Sequence, residues 1–272
     1  MASGSSILMR SHVSKSPAQA APTESGAIAS PQWETTCYWN DDSCCHRHAT
    51  EVCEAMIELD SVFKYYRTRG QRKIVLDHVS LKFMAGSSYG ILGVNGAGKS
   101  TMMRLLAGSE LANGGRIRRS VRVSWPLGFS GGMNPRLSGR ENVRFFARIY
   151  GEDIRKTVNF VEDFAEIGAY IDSPVTTYSS GMVARLAFGL SMAIDFECYL
   201  IDEVTAVGDA RFAQRCREEF AKRRLKSDII MISHSMPTIK DFCRRGIVLA
   251  GGRLFAFHDI DEAVDLYKKL NA

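Results

Sequence analysis

The chain has 272 residues, of which 45% are hydrophobic and 24% charged, with a formal net charge of +5. This length and apolar content support one sizeable core without requiring two separate domains. No uninterrupted apolar stretch reaches the roughly 18–20 residues of a membrane span, which excludes a transmembrane pathway built by this chain. No signal-peptide pattern opens the sequence, and seven cysteines lack paired spacing, as expected of reduced thiols on the cytoplasmic side. The positive balance mildly favours anionic surfaces, including an inner leaflet, although most of it suits a solvated face.

Met1 to about Ala55 is rich in Ser and Ala, lacks periodicity and reads as disordered. Cys37, Cys44, Cys45, His46, His48 and Cys53 cluster there without the spacing of a structural zinc site. From Ile57 the pattern becomes β, with Val79, Leu81 and Phe83 alternating with polar residues as in an antiparallel, half-buried strand. Ser88 to Leu92 is a short strand-like run, followed by Gly93 to Thr101, G-V-N-G-A-G-K-S-T. Gly93, Gly98, Lys99 and Ser100 fit G-x-x-x-x-G-K-[ST], and Thr101 to Gly108 reads as a helix closed by glycine. Such a loop wraps backbone N–H groups around a β-phosphate at the positive end of a helix. Gly93, Asn95, Gly96, Ala97, Gly98, Lys99, Ser100 and Thr101 are therefore candidate nucleotide-binding residues, with Lys99 reaching the β- and γ-phosphates and Ser100 able to ligate Mg²⁺.

Arg116, Arg118, Arg119 and Arg122 alternate on a probable edge strand, where charge discourages aggregation. Residues 142–168 read as helical: Val143, Phe146, Ala147 and Tyr150 share one face, and Ile154, Val158, Val161 and Ala165 another. Arg140, Arg144 and Arg148 form a basic stripe, read as a solvated face or as a contact for a carboxylate or lipid head group. Tyr178-Ser179-Ser180-Gly181-Met182 precedes an amphipathic helix carrying Val183, Leu186, Ala187 and Leu190. The apolar run Cys198 to Ile201 ends in Asp202-Glu203, as a buried parallel strand does when it delivers carboxylates at its tip. Ile229 to Ile232 similarly ends in Ser233-His234-Ser235. Singly, the acidic pair reads as ordinary helix N-cap chemistry and a strand-end histidine as structural.

In this order the segments resemble ABC-type ATPases, over essentially Met56 to the C-terminus. The resemblance implies an α/β P-loop NTPase fold with an antiparallel β subdomain and an inserted helical subdomain at about residues 137–178. It implies ATP and Mg²⁺ as ligands, with Asp202 and Ser100 on the metal, Glu203 as general base and His234 reading the γ-phosphate. Ser179 and Gly181 would contact ATP across a homodimer interface, and Asp209 lies in a loop that touches the opposite subunit. Tyr66 matches the aromatic that stacks on adenine, with Tyr65 as a substitute. The chain departs from the pattern in reading Y-S-S-G-M for L-S-G-G-Q, and in having no glutamine between the P-loop and Ser179; the place of that glutamine falls near Phe129 or Ser130.

Ser124 to Phe129, Arg140 to Gly151, Tyr178 to Met182 and Val204 to Phe212 are similar to ATPases that drive capsular polysaccharide export. The 38 residues after His234 suit two strands, a Gly251-Gly252 turn and a helix, without the carbohydrate-binding domain of many O-antigen and teichoic acid exporters. The expectation is an ATP-hydrolysing subunit, peripheral on the cytoplasmic face of the inner membrane. It would dimerise on a separate integral-membrane permease that handles the polysaccharide, with no nucleic acid partner. The alternatives are an O-antigen or teichoic acid exporter, or a soluble non-transport ABC ATPase. Met56-Ile57-Glu58-Leu59 looks like the natural beginning of this subfamily, so residues 1–55 read as an extension or a misassigned start.

Overall fold

The computed structural model describes residues 54–68, 70–127, 132–202, 210–233 and 235–271. Two long strands open it, β1 (Ala55–Thr68) and β2 (Gln71–Met84), followed by a short β3 (Tyr89–Leu92) and helix α1 (Lys99–Ala107). The chain then forms β4 (Gly114–Arg119), α2 (Gly139–Tyr150), α3 (Ile154–Ala165), two 3-10 turns and α4 (Ser180–Ala193). It closes with β5 (Cys198–Asp202), α5 (Ala210–Arg224), β6 (Asp228–Ile232), α6 (Met236–Phe242), β7 (Arg245–Ala250), β8 (Arg253–Phe257) and α7 (Ile260–Asn271).

β1 pairs antiparallel with both β2 and β4, giving a three-stranded sheet in the order β2-β1-β4. The expected alternation holds in β2, whose Val79, Leu81 and Phe83 are buried between exposed neighbours. A second sheet runs β5-β6-β3-β7-β8, parallel except for β8. Its four parallel strands read as continuous apolar runs because both faces are covered. Between the sheets lies α1: Met102, Met103, Leu105 and Leu106 have no exposure and join one core with residues of both sheets. A second core joins the other face of the parallel sheet to α2, α3, α4 and α7.

Helix ends are chemically specified. Ser138 and Glu141 form a reciprocal capping box on α2, and Asp153 caps α3. Arg119, read as one of an edge-strand set, has a further role: its guanidinium donates to the carbonyls of Leu105 and Leu106 and satisfies the C-terminus of α1. β4 is an edge strand carrying Arg116, Arg118 and Arg119, with Arg118 paired to Glu58, but Arg122 lies beyond it and instead binds Glu152 and the Tyr150 carbonyl.

Two readings change. The basic stripe on α2 loses Arg140, whose guanidinium brackets Glu162 of α3 and Asp172 of the following turn at 2.6–3.1 Å; Arg144 and Arg148 stay exposed. The helix after Met182 is amphipathic only in its first turns, since every residue from Leu186 to Met192 is buried. Its second half is enclosed by α3 and by Trp125, whose indole N–H donates to Ser191 Oγ at 2.8 Å.

The parallel sheet is closed by α7 at a contact with no spare room. A Cβ on Gly246 of β7 would lie 2.2 Å from Ala263 Cβ. Gly246→Ala should therefore force α7 outward and destabilise the fold by about 1–3 kcal/mol, read as a lowered thermal midpoint. An unchanged midpoint would show that α7 is not locked to the sheet.

Candidate nucleotide site

The tips of β3, β5 and β6 face one cavity of about 340 Å³. Parallel packing fixes this arrangement: β3 hands the chain to the loop before α1, β5 ends at Asp202, and Ile232 lies in register with Asp202 on β6. Asn95, Gly96, Gly98, Lys99, Ser100 and Thr101 line the floor. The antiparallel sheet supplies a side wall, with Tyr66 on β1 opposite Lys73 on β2, and Val75 beside them.

The loop's glycines are needed for different reasons. A Cβ on Gly93 would lie 2.5 Å from the Leu249 carbonyl, and one on Gly98 would lie 2.2 Å from Val75 Cγ1. Gly98 also takes φ 110° as the N-cap of α1. Both therefore pin the loop against its own fold. Gly96 is different: with φ 77° it faces open space, its nearest neighbour being Lys73 Nζ, 3.9 Å from where a Cβ would stand. Lys99 is buried, with its ammonium held by the carbonyls of Gly93 at 2.6 Å and Val94 at 3.2 Å.

These features fit a nucleoside triphosphate. The N-terminus of α1 turns backbone N–H groups and a positive dipole towards a cavity floored by backbone, which suits a polyphosphate. Ser100 and Asp202 bring a hydroxyl and a carboxylate to the same cavity, the oxygen donors that Mg²⁺ prefers. Tyr66, rather than Tyr65, is the aromatic on the wall. Successive strand residues point to opposite faces, and Tyr65 turns away to pack against Phe63 and the Arg72 guanidinium.

Sequence reading missed the charged network behind Tyr66. The Tyr66 hydroxyl donates to Glu110 Oε1 at 2.5 Å and lies 3.3 Å from both Thr101 Oγ1 and Arg104 Nη2. Glu110 also pairs with Lys64 at 2.7 Å and Arg104 at 2.9 Å. These residues span 46 positions of sequence, and only the β1–α1 packing brings them together. Lys73 was missed for the same reason, since its cavity position follows from its register with Tyr66.

Ser179 and Gly181 do not line this cavity. Ser179 is the N-cap of α4, accepting the Met182 N–H at 3.2 Å. The preceding Tyr178 is anchored by its hydroxyl to the Tyr170 carbonyl and packs where a Cβ on Gly139 would strike it. Ser179 and Ser180 are exposed, and among the described residues the only neighbour within 4 Å of a Cβ on Gly181 would be Ser179 Oγ.

The residues leading into the stretch expected to hold the missing glutamine pair with β5. Ser124 accepts the Leu200 N–H and gives its own N–H to Cys198, and Leu127 donates to Leu200, all at 2.9 Å. Residues 123–127 thus run alongside β5 towards Asp202. Phe129, Ser130, Glu203, Asp209, His234 and the cysteine and histidine cluster lie outside the described residues. Cys198, Cys216 and Cys243 are buried free thiols, as expected.

Burial raises the Glu110 pKa, but hydrogen bonds from Lys64, Tyr66 and Arg104 outweigh it and bring the carboxyl from 4.5 down to about 2. The folded state thus binds this proton less readily than the unfolded chain. Its stabilisation is present above about pH 4.5 and is lost as pH falls towards 2. The stability gap between the native chain and Glu110→Gln should therefore narrow between pH 6 and pH 3.5, measured as urea midpoints. A gap independent of pH would mean that the ionised carboxylate is not what these groups hold.

Comparison with known proteins places these features in a family. The ABC transporter family model matches residues 76–206. The capsule polysaccharide export ATP-binding protein CtrD of Neisseria meningitidis serogroup B is 47% identical over 215 residues, 79% of this chain and 100% of that protein. The polysialic acid transport ATP-binding protein KpsT of Escherichia coli is 43% identical over 216 residues, 78% of this chain and 96% of that protein. The fold matches a dimeric ATP-binding cassette in a post-hydrolysis state bound to ADP and Pi, with a TM-score of 0.62 at 19% identity over 75% of this chain and 99% of that one. A glycine-rich loop pinned at the tips of parallel strands, facing Asp202 and walled by an antiparallel sheet, is thus the candidate nucleotide site of a chain that belongs to the family of ABC transporter ATP-binding proteins.

Proposed function

We propose that this chain is the ATP-hydrolysing subunit that drives export of capsular polysaccharide through a separate integral-membrane permease, bound peripherally at the cytoplasmic face of the inner membrane. The observation that carries the reading is the cavity shared by Lys99, Ser100 and Asp202, in a chain 47% identical to a capsule export ATP-binding protein along that protein's whole length. Among the described residues no helix is long and apolar enough to cross a membrane, so the pathway belongs to a partner.

Each residue has a physical task. The loop amides and Lys99 hold the phosphates, and Tyr66 stacks on adenine. Ser100 and Asp202 would hold Mg²⁺, whose chemistry is to neutralise charge on the β- and γ-phosphates. Glu203 takes the proton of the attacking water, and His234 contacts the γ-phosphate. Ser179, exposed, and Gly181, half-buried, line no part of their own subunit's cavity and complete the site of a second copy in a head-to-tail homodimer. Closing the dimer on ATP and reopening it after hydrolysis transmits the energy to the permease.

Lys99→Ala should weaken ATP binding at least tenfold, because a charge-assisted phosphate contact is lost; wild-type affinity and turnover would remove Lys99 from the site. In cells, the same substitution should leave polysaccharide made but absent from the surface. Normal surface polysaccharide would overturn the transport reading. Glu203→Gln should bind ATP while losing about 10²–10⁴-fold in turnover, since an amide cannot accept the water's proton. It should elute as an ATP-dependent dimer in size-exclusion chromatography, whereas undiminished steady-state hydrolysis would exclude Glu203 as the base.

A further inference from the structure

We propose that Glu110 is a positioning residue for the nucleotide base, clamping the Tyr66 ring to the phosphate-binding helix. The inference rests on the reading of Tyr66 as the adenine wall. Tyr66 lies on the three-stranded sheet, whereas the phosphates are bound at the head of α1, so the two halves of the ligand are read by different layers. Something must fix their relative position, and strand pairing does not, because the strands that pair with β1 are β2 and β4.

The clamp is fully satisfied. The Tyr66 phenol has one proton, which goes to Glu110 Oε1 at 2.5 Å, and its oxygen accepts from Arg104 Nη2 at 3.3 Å. The same Arg104 nitrogen donates to Thr101 Oγ1 at 3.1 Å, which ties the network to a residue of the cavity floor. Glu110 Oε1 also takes Lys64 at 2.7 Å, and Oε2 takes Arg104 Nε at 2.9 Å. Lys64 is itself fixed by the Leu111 carbonyl at 2.8 Å, and its ammonium stands 5.1 Å from the centre of the Tyr66 ring, over one face. Glu110 is thus the one acceptor that Tyr66, Lys64 and Arg104 share. Without it the phenol loses its partner, and two cations are left beside each other and beside the ring. A tyrosine side chain turns about two torsions, and a ring that must be ordered by its ligand binds that ligand less tightly.

The test uses the full chain and compares ATP with inorganic tripolyphosphate, which offers the phosphates without the base. Glu110→Gln should weaken ATP binding about fivefold to tenfold, the worth of one charge-assisted hydrogen bond. Tripolyphosphate affinity should change by less than about twofold and kcat at saturating ATP should be retained, so that the loss sits in KM. Tyr66→Phe, which keeps the ring and removes the hydroxyl, should lose a similar factor. The double variant should lose no more than either single one, because both break the same link. Equal loss for ATP and tripolyphosphate would overturn the proposal, since Glu110 would then act on the phosphate loop or on folding. Additive losses, or no loss for ATP, would overturn it too. Tyr66→Ala is the control for the underlying reading: if it binds ATP as tightly as the native chain, the adenine wall itself is wrong.

Discussion

The fold is organised around one helix that is almost entirely buried yet must keep its first turn open. α1 packs between the two sheets through four side chains with no exposure, and Arg119 closes its far end. No side chain caps its N-terminus, and on the proposed reading those amides are the phosphate-binding groups. The cost of leaving buried backbone donors unpaired is avoided by placing that single turn at the strand tips, where ligand or solvent can reach it. The glycines on either side of the loop then follow from packing as much as from binding. Gly93 and Gly98 press against β7 and β2, so the loop's shape is set by the sheets before any phosphate arrives.

The same constraint explains why two sheets are needed for one site. The parallel sheet supplies the glycine-rich loop and the strand tip at Asp202, while the antiparallel sheet supplies the aromatic wall. No strand of one sheet pairs with a strand of the other, and hydrogen bonds between them are isolated, such as the Met84 N–H donating to the Tyr89 hydroxyl. They are joined by apolar packing around α1 and by the few charged side chains that run from Lys64 through Glu110 to Arg104. Apolar burial is strong but tolerant of small shifts, whereas a charge-assisted hydrogen bond fixes a distance to tenths of an ångström. The structure uses the first for cohesion and the second for alignment.

Much of this was legible from local pattern. A glycine-rich loop between strand and helix, an apolar run stopping at Asp202, and the alternation of Val79, Leu81 and Phe83 are short-range signals, and each appears where expected. What escaped was long-range. Glu110 and Lys64 meet only because β1 lies over the end of α1, and no sequence window contains both. Arg140 and Arg119 were legible as charges, but their partners depended on tertiary placement: Glu162 and Asp172 for one, two helix carbonyls for the other. The choice between Tyr65 and Tyr66 needed strand orientation relative to a cavity. Period-2 alternation alone says that they point apart, without saying which way the cavity lies.

In the proposed head-to-tail dimer, Gly181 sets folding against function at a single residue. It sits in the first turn of α4, outside the positive-φ glycines, and almost nothing surrounds the place where a side chain would stand. A helical glycine of this kind is about 0.5–1 kcal/mol worse than alanine for the isolated subunit. Selection for stability alone would therefore remove it, and a library screened only for soluble, heat-resistant protein would drift towards alanine there without any defect showing in the monomer. Its retention would have to be enforced by an assay in which a second subunit closes over that turn.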